Sequence, residues 1–134
     1  MLSSPMLALL AELQEKSHAA YAEGGLLYTY VEAANQAHSR YSSSTKTSAA
    51  LSPQFIHELG RFIQASQGNY QAESAEPAYL SEAQKLFDLL KSDLQFDDIS
   101  WSLEDGGHDM TALINMARHA DNRFFSLELM WSID

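Results

Sequence analysis

The chain has 134 residues, of which 46% are hydrophobic, and its 18 acidic and 8 basic side chains give a formal net charge of −10. Such a length is typical of one domain, and this apolar content is too high for a disordered tail. The sequence contains no cysteine, which excludes disulfides, thiolate zinc sites and thiol catalysis.

The first residues predict a helix over about 5–23. Ser4 suits the N-cap and Pro5 suits the first helical position. Apolar side chains then recur at helical spacing: Met6, Leu9, Leu10 and Leu13. Gly24 and Gly25 are typical of the residues that end a helix. Because no basic residue precedes this apolar segment, it does not match an export signal, and we expect a cytoplasmic protein.

Three further helices are predicted in the first two thirds of the chain. Residues 26–41 keep apolar side chains at steps of three and four, which favours a helix, although the alternation of Tyr28–Val31 would also suit a strand. The polar run 42–48 predicts a surface loop. Ser52-Pro53 marks the start of a third helix, and Ser81–Gln84 matches a capping box that begins a fourth.

Beyond Asp98 the hydrophobic period changes from 3.6 to 2, which is typical of strands with one buried face. A first strand around Trp101 ends in the turn signal Asp105-Gly106-Gly107. Residues 109–118 fit either a strand or a capped helix, and the flanking turns favour the strand. The segment Arg123–Ile133 alternates most clearly, with Trp131 on its apolar side.

These elements predict an α+β fold for residues 1–134 as a single domain. About four N-terminal helices, over about 5–93, are expected to pack on a C-terminal three-stranded antiparallel sheet over about 97–134. Trp101 and Trp131 are in phase with the apolar side chains of their strands, so we expect both in the core.

No catalytic, metal-binding or nucleotide-binding motif is recognisable in the sequence. The histidines are not spaced as ligands for one ion, and no nucleophile elbow or phosphate loop is present. We therefore expect no metal and no cofactor. A small enzyme with an unrecognised carboxylate acid/base site remains the third-ranked of three function classes.

The acidity is concentrated near the C-terminus. Residues 93–134 carry nine acids and two bases and so account for −7 of the net charge of −10. Two apolar residues of the last strand, Phe124 and Met130, are out of phase with the others and predict a second apolar surface. The residues expected to face a partner are these two together with the acids Asp97, Asp98, Glu104, Asp105, Asp109 and Asp121.

Charge and size favour a protein partner that is basic. A surface this acidic repels nucleic acid and anionic membrane and attracts positive charge. In general character the chain resembles bacterial immunity proteins, which neutralise toxins, often nucleases with basic active sites; no sequence motif carries this resemblance, so no residue role is transferred. The first-ranked function is therefore an immunity or inhibitor protein, and the second is a secretion chaperone or adaptor that holds an effector through an apolar sheet face. Monomer and homodimer are both compatible with the sequence.

Overall fold

The computed structural model describes residues 1–33, 46–48 and 53–134. Within them the elements are α1 (Ser4–Ala20), β1 (Gly25–Ala33), β2 (Lys46–Ser48), α2 (Pro53–Ser66), α3 (Pro77–Leu94), β3 (Asp98–Asp105), β4 (Asp109–Arg118) and β5 (Arg123–Ser132). The strands form one sheet in the order β1-β5-β4-β3-β2, and every pair of neighbours is antiparallel.

The α+β class is confirmed, but the predicted count of elements is wrong. The described residues form three helices rather than four, and four long antiparallel strands rather than three. The short β2 extends the sheet beyond β3, in a run for which the sequence predicts a loop. Among the described residues, no helix is long and apolar enough to cross a membrane.

The main error concerns the segment predicted as a second helix, 26–41. Its described part belongs to β1, which pairs with β5 along all nine of its residues. Aromatic and β-branched side chains at Tyr28–Val31 suit a pleated strand, and the long-range pairing with β5 outweighs the helical spacing of the apolar residues. Residues 34–41 of that prediction lie outside the described part of the chain.

The other helices are confirmed with shifted ends. The N-cap of α1 is Ser3 rather than Ser4, because the Ser3 hydroxyl accepts the backbone N–H of Met6 at 3.3 Å. α1 ends at Ala20, before the glycines that were expected to end it. α3 begins at Pro77 rather than at the predicted capping box, since proline is well suited to a first helical turn.

The C-terminal meander is confirmed. Consecutive strands β3, β4 and β5 pair as hairpins, and residues 109–118 are a strand. The first turn uses Gly107 at φ +86°, a conformation that favours glycine, and the second uses Asn122 at φ +56°. The two hairpin turns therefore lie at opposite ends of the sheet.

The helices cover one face of the sheet, which we call the inner face. Its positions are the even-numbered residues of β1 and β4 and the odd-numbered residues of β3 and β5. Most of these side chains are buried; Trp101 is 6% exposed and Trp131 is 0% exposed, which confirms both as core residues. Tyr21, just after α1, stacks on Trp131 with ring centroids 5.4 Å apart. The opposite positions of the same strands form the outer face.

Candidate functional site

One row of side chains crosses the outer face near the β3–β4 turn. Leu27 of β1 lies opposite Met130 of β5. Met130 lies in turn opposite Thr111 of β4, and Thr111 lies opposite Glu104 of β3. Since neighbouring strands are about 4.8 Å apart, the row is about 14 Å wide. Asp109 is on the same face, two residues before Thr111. We call these five residues the hairpin patch.

The hairpin patch is apolar at one end and acidic at the other. Leu27 is 56% exposed and Met130 is 44% exposed, which is unusual for large apolar side chains in strands. Glu104 and Asp109 are exposed too. Among the described residues, neither carboxylate forms an ion pair with another side chain. The patch thus offers both apolar area and uncompensated negative charge.

The whole outer face of the four long strands is free of basic side chains. Its positions include the carboxylates of Asp98, Glu104, Asp109 and Glu128, but no lysine, arginine or histidine. No positive charge on these strand positions therefore offsets the field of the acids. Near the β3–β4 turn, where these outer positions are exposed, Glu104 and Asp109 would attract a basic surface.

Asp105 adjoins the hairpin patch in sequence but belongs to the inner side. Its carboxylate accepts a hydrogen bond from the Gly107 N–H at 2.9 Å and pairs with Arg61 of α2 at 3.1 Å. The Gly107 hydrogen bond and the Arg61 guanidinium hold the pKa of Asp105 below its usual range. Asp105 therefore ties the β3–β4 turn to α2 instead of facing outward.

The acids at the other end of the sheet are also held by internal contacts. Asp98 pairs with the His119 ring, Oδ2 to Nε2, at 2.6 Å, and Asp97 accepts the His119 backbone N–H at 2.7 Å. Asp121 forms two hydrogen bonds with the guanidinium of Arg118, both at 2.9 Å. This pairing lowers the pKa of Asp121. Together these contacts fasten the β4–β5 turn to the start of β3.

The structure divides the predicted partner-binding residues into two groups at opposite ends of the sheet. Glu104, Asp105, Asp109 and Met130 lie near the β3–β4 turn, whereas Asp97, Asp98, Asp121 and Phe124 lie near the β4–β5 turn. Seven residue steps along β3 separate the groups by about 24 Å. Phe124 is only partly exposed and sits in a row with Ala33 and Ala117. The eight residues therefore do not form one continuous surface.

Leu27 is the most important patch residue that the sequence prediction missed. It was placed in a helix, where its neighbours would have been residues three and four positions away. The signal that could have found it is the strand-like alternation that begins beside it at Tyr28. Thr111 was missed as well, because its importance comes only from its position between Met130 and Glu104.

Elsewhere, an open groove of about 560 Å³ lies between α2 and α3. Its lining consists of Pro53, Ile56, His57, Leu80 and Gln84. These five described residues include one titratable side chain and no carboxylate, so they do not by themselves supply the acid/base pair that general acid–base catalysis needs. No group of three or more histidine, aspartate or glutamate side chains is arranged to hold a metal ion within the described ranges.

Comparisons place the chain beside no known protein. Protein-family models, curated proteins and solved structures were compared with it, and none of them matches. The geometry of the sheet is therefore the basis on which a function is proposed.

Proposed function

We propose that this chain is a protein-binding module, specifically an immunity or inhibitor protein that occludes a basic partner with the outer face of its sheet. The hairpin patch is the observation that supports this function best. There the exposed side chains of Leu27 and Met130 adjoin the carboxylates of Glu104 and Asp109. Protein interfaces commonly combine a few apolar anchors with a charged rim.

The electrostatics of the chain favour a basic partner over a neutral one. The net charge is −10, and the described outer strand positions carry acids without bases. Complementary charge accelerates association and rejects acidic competitors. An inhibitor of a nuclease with a basic active site needs both properties, because it has to bind quickly and only where phosphate would otherwise bind.

The six acids first expected to contact the partner now have separate roles in the proposal. Glu104 and Asp109 are expected to contact the partner, because they are exposed and unpaired among the described residues. The other four acids maintain the turns through internal hydrogen bonds and ion pairs: Asp97, Asp98, Asp105 and Asp121. Charge reversal at these four would damage the fold as well as any interface.

The apolar half of the hairpin patch also favours the second function class, a secretion chaperone or adaptor. Leu27 and Met130 form a contiguous exposed pair on an open strand surface, and such a surface suits an apolar segment of an effector. The two classes differ in how binding depends on salt. Binding of a basic partner weakens as salt rises, whereas binding through apolar contacts does not.

The experiment is co-expression of this chain with a basic, toxin-like protein encoded by the reading frame beside its own gene. We expect protection of the cells and co-purification of the two proteins. The variant Glu104→Lys/Asp109→Lys should lose protection. A matched control, Glu15→Lys/Glu73→Lys, makes the same change in net charge at exposed residues away from the sheet and should protect like the wild type.

The apolar half is tested in the same assay. Met130→Asp should weaken binding at least about tenfold, which corresponds to about 1.4 kcal/mol. Leu7→Asp is its control, because Leu7 lies on α1 and has the same 44% exposure as Met130. Equal protection by both charge-reversal doubles, or binding that is unchanged between low and high salt, would contradict inhibition through the outer face.

A further inference from the structure

β1 is an edge strand of the sheet. It lies at the end of the sheet and pairs on one side with β5; on its other side, none of the residues that the structure describes pairs with it. β1 is nine residues long and contains no proline or lysine, so its outward backbone groups form a template for a further strand. A partner that binds this edge by strand pairing has to supply an extended segment that fits β1.

One contact shows which backbone groups of β1 point away from β5. Gln14 Nε2 of α1 donates to the backbone carbonyl of Leu26 at 3.3 Å, so this carbonyl points away from β5. Because backbone groups alternate along a strand, the N–H and C=O groups of Tyr28, Tyr30 and Glu32 also point outward. The side chains of these residues face the inner side, whereas Leu27, Thr29 and Val31 are on the outer face.

The sequence of β1 is nearly symmetric about Thr29. Tyr28 and Tyr30 flank this residue, and Leu27 and Val31 flank them in turn. Thr29 is also the midpoint of Gly25–Ala33, so a second copy placed antiparallel about this residue overlaps along all nine residues. In this register the outward-pointing Tyr28 pairs with Tyr30 of the second copy, which satisfies both backbones.

The charges of β1 are compatible with this register. Glu32 is its one charged residue, and it would lie opposite Leu26 of the second copy. The two Glu32 side chains would be about 20 Å apart along the strands, since each residue advances about 3.4 Å. That distance exceeds the Debye length of about 8 Å at physiological salt. In a chain of net charge −10, β1 is thus a segment where two copies can approach without opposing like charges.

We propose that this chain forms a two-fold symmetric homodimer in which β1 pairs antiparallel with β1 of a second copy, centred on Thr29. The dimer joins the two sheets into one and places Thr29 of each copy directly opposite the other. It also places Val31 of the second copy beside Leu27, which extends the apolar outer surface across the axis. This assembly does not depend on any other partner and is independent of the proposed inhibitory function.

A cysteine substitution tests the register directly, because the chain contains no cysteine. Facing residues at a non-hydrogen-bonded antiparallel pair have Cα atoms about 4.5 Å apart, which is within the range for a disulfide. Thr29→Cys should therefore form a covalent dimer under mild oxidation. Ser102→Cys, at a partly exposed position of β3 on the same face, should remain monomeric on a non-reducing gel.

Sedimentation of the purified chain tests the dimer without any cross-link. We expect the wild type to reach twice the mass of one chain at concentrations up to about 200 µM, and Thr29→Lys to weaken dimerisation at least about tenfold by placing two like charges at the axis. Ser102→Lys is the matched control and should dimerise like the wild type. Thermal unfolding of both variants checks that each still folds.

Salt separates this dimer from the proposed partner complex. Raising the salt concentration should strengthen the dimer, because screening reduces the repulsion between two chains of charge −10. The same change should weaken a complex with a basic partner. A wild type that sediments as a single chain throughout the concentration range would overturn the proposal, and so would cross-linking of Ser102→Cys in preference to Thr29→Cys.

Discussion

The inner and outer faces of the sheet are made by the same strands, but their residues differ in kind. The inner face carries large apolar side chains, such as Leu127 and Trp131, which are fully buried beneath the helices. The outer face carries mostly small, polar and acidic side chains; of its large apolar ones, Leu27 and Met130 are exposed, whereas Leu113 and Phe124 are only partly exposed. Exceptions on a polar face are more informative about function than any residue of the core, because packing does not explain them.

The largest effect is expected from truncating the inner face at Trp131. Trp131→Ala should lower the free energy of unfolding by about 3–5 kcal/mol, because it removes a fully buried ring that stacks on Tyr21. Denaturant unfolding measures this loss. Trp131→Phe is the control: it keeps an aromatic ring and removes an indole N–H that has no hydrogen-bond partner among the described residues. A cost for Trp131→Phe as large as that of the alanine variant would contradict this account of the core.

A smaller effect is expected where the outer face itself is buried. Ser126 and Asn115 are outer positions that are 1% and 0% exposed, and the Ser126 hydroxyl donates to Asn115 Oδ1 at 2.7 Å. Ser126→Ala leaves that oxygen without its donor and should cost about 1–3 kcal/mol of the free energy of unfolding.

The control for this hydrogen bond is the same substitution at a partly exposed outer position. Ser102→Ala on β3 should change the free energy of unfolding by less than about 0.5 kcal/mol. Equal losses for Ser126→Ala and Ser102→Ala would show that the buried hydrogen bond adds no stability. The buried and the partly exposed serine would then contribute equally to the free energy of unfolding.

Local pattern explains which parts of the fold could be predicted. The meander β3–β5 was predicted because alternation, turn residues and hairpin pairing are all short-range signals. β1 was predicted wrongly because its partner β5 is about a hundred residues away in sequence, and only that pairing decides between strand and helix at Leu26–Val31. The number of helices and strands was wrong for this reason.

The same distinction applies to the candidate site. The excess of acids and the exposure of Met130 followed from composition and period. The sequence did not show which acids are paired inside the protein, because the partners are far apart in the chain. Arg61 lies 44 residues from Asp105, and His119 lies 21 residues from Asp98. Leu27 and Thr111 likewise belong to the hairpin patch only because strand pairing places each of them opposite Met130.

Asp105 connects the two faces at the β3–β4 turn, and a smaller effect is expected there. The Gly107 N–H and Arg61 lower its pKa, so its contribution to stability is present above the unfolded pKa of about 3.9 and is lost as the pH falls through the folded value. At neutral pH, Asp105→Asn should cost only about 0.5 kcal/mol, because the carboxylate is 42% exposed and solvent screens the ion pair.

Unfolding measured at several pH values checks this sign. The difference in unfolding free energy between the wild type and Asp105→Asn should be constant near neutrality and should disappear in acid, below the folded pKa of Asp105. At neutral pH, Glu104→Gln, one residue earlier on the outer face, should cost less than Asp105→Asn, since no described residue forms an ion pair with Glu104. A difference that grew in acid would mean that the charged Asp105 is destabilising.

A small effect on stability is also expected at Met130, and there the two faces are compared most directly. Met130→Ala changes a large apolar residue next in sequence to Trp131, yet 44% of Met130 is exposed, so the substitution should change the free energy of unfolding by less than about 1 kcal/mol. Denaturant unfolding and partner binding, measured on the same variant, separate the two roles of this residue. A loss of binding with little loss of stability fits a surface kept for recognition, whereas a loss of stability close to that of Trp131→Ala would make Met130 part of the core and remove the apolar half of the hairpin patch from the proposed interface.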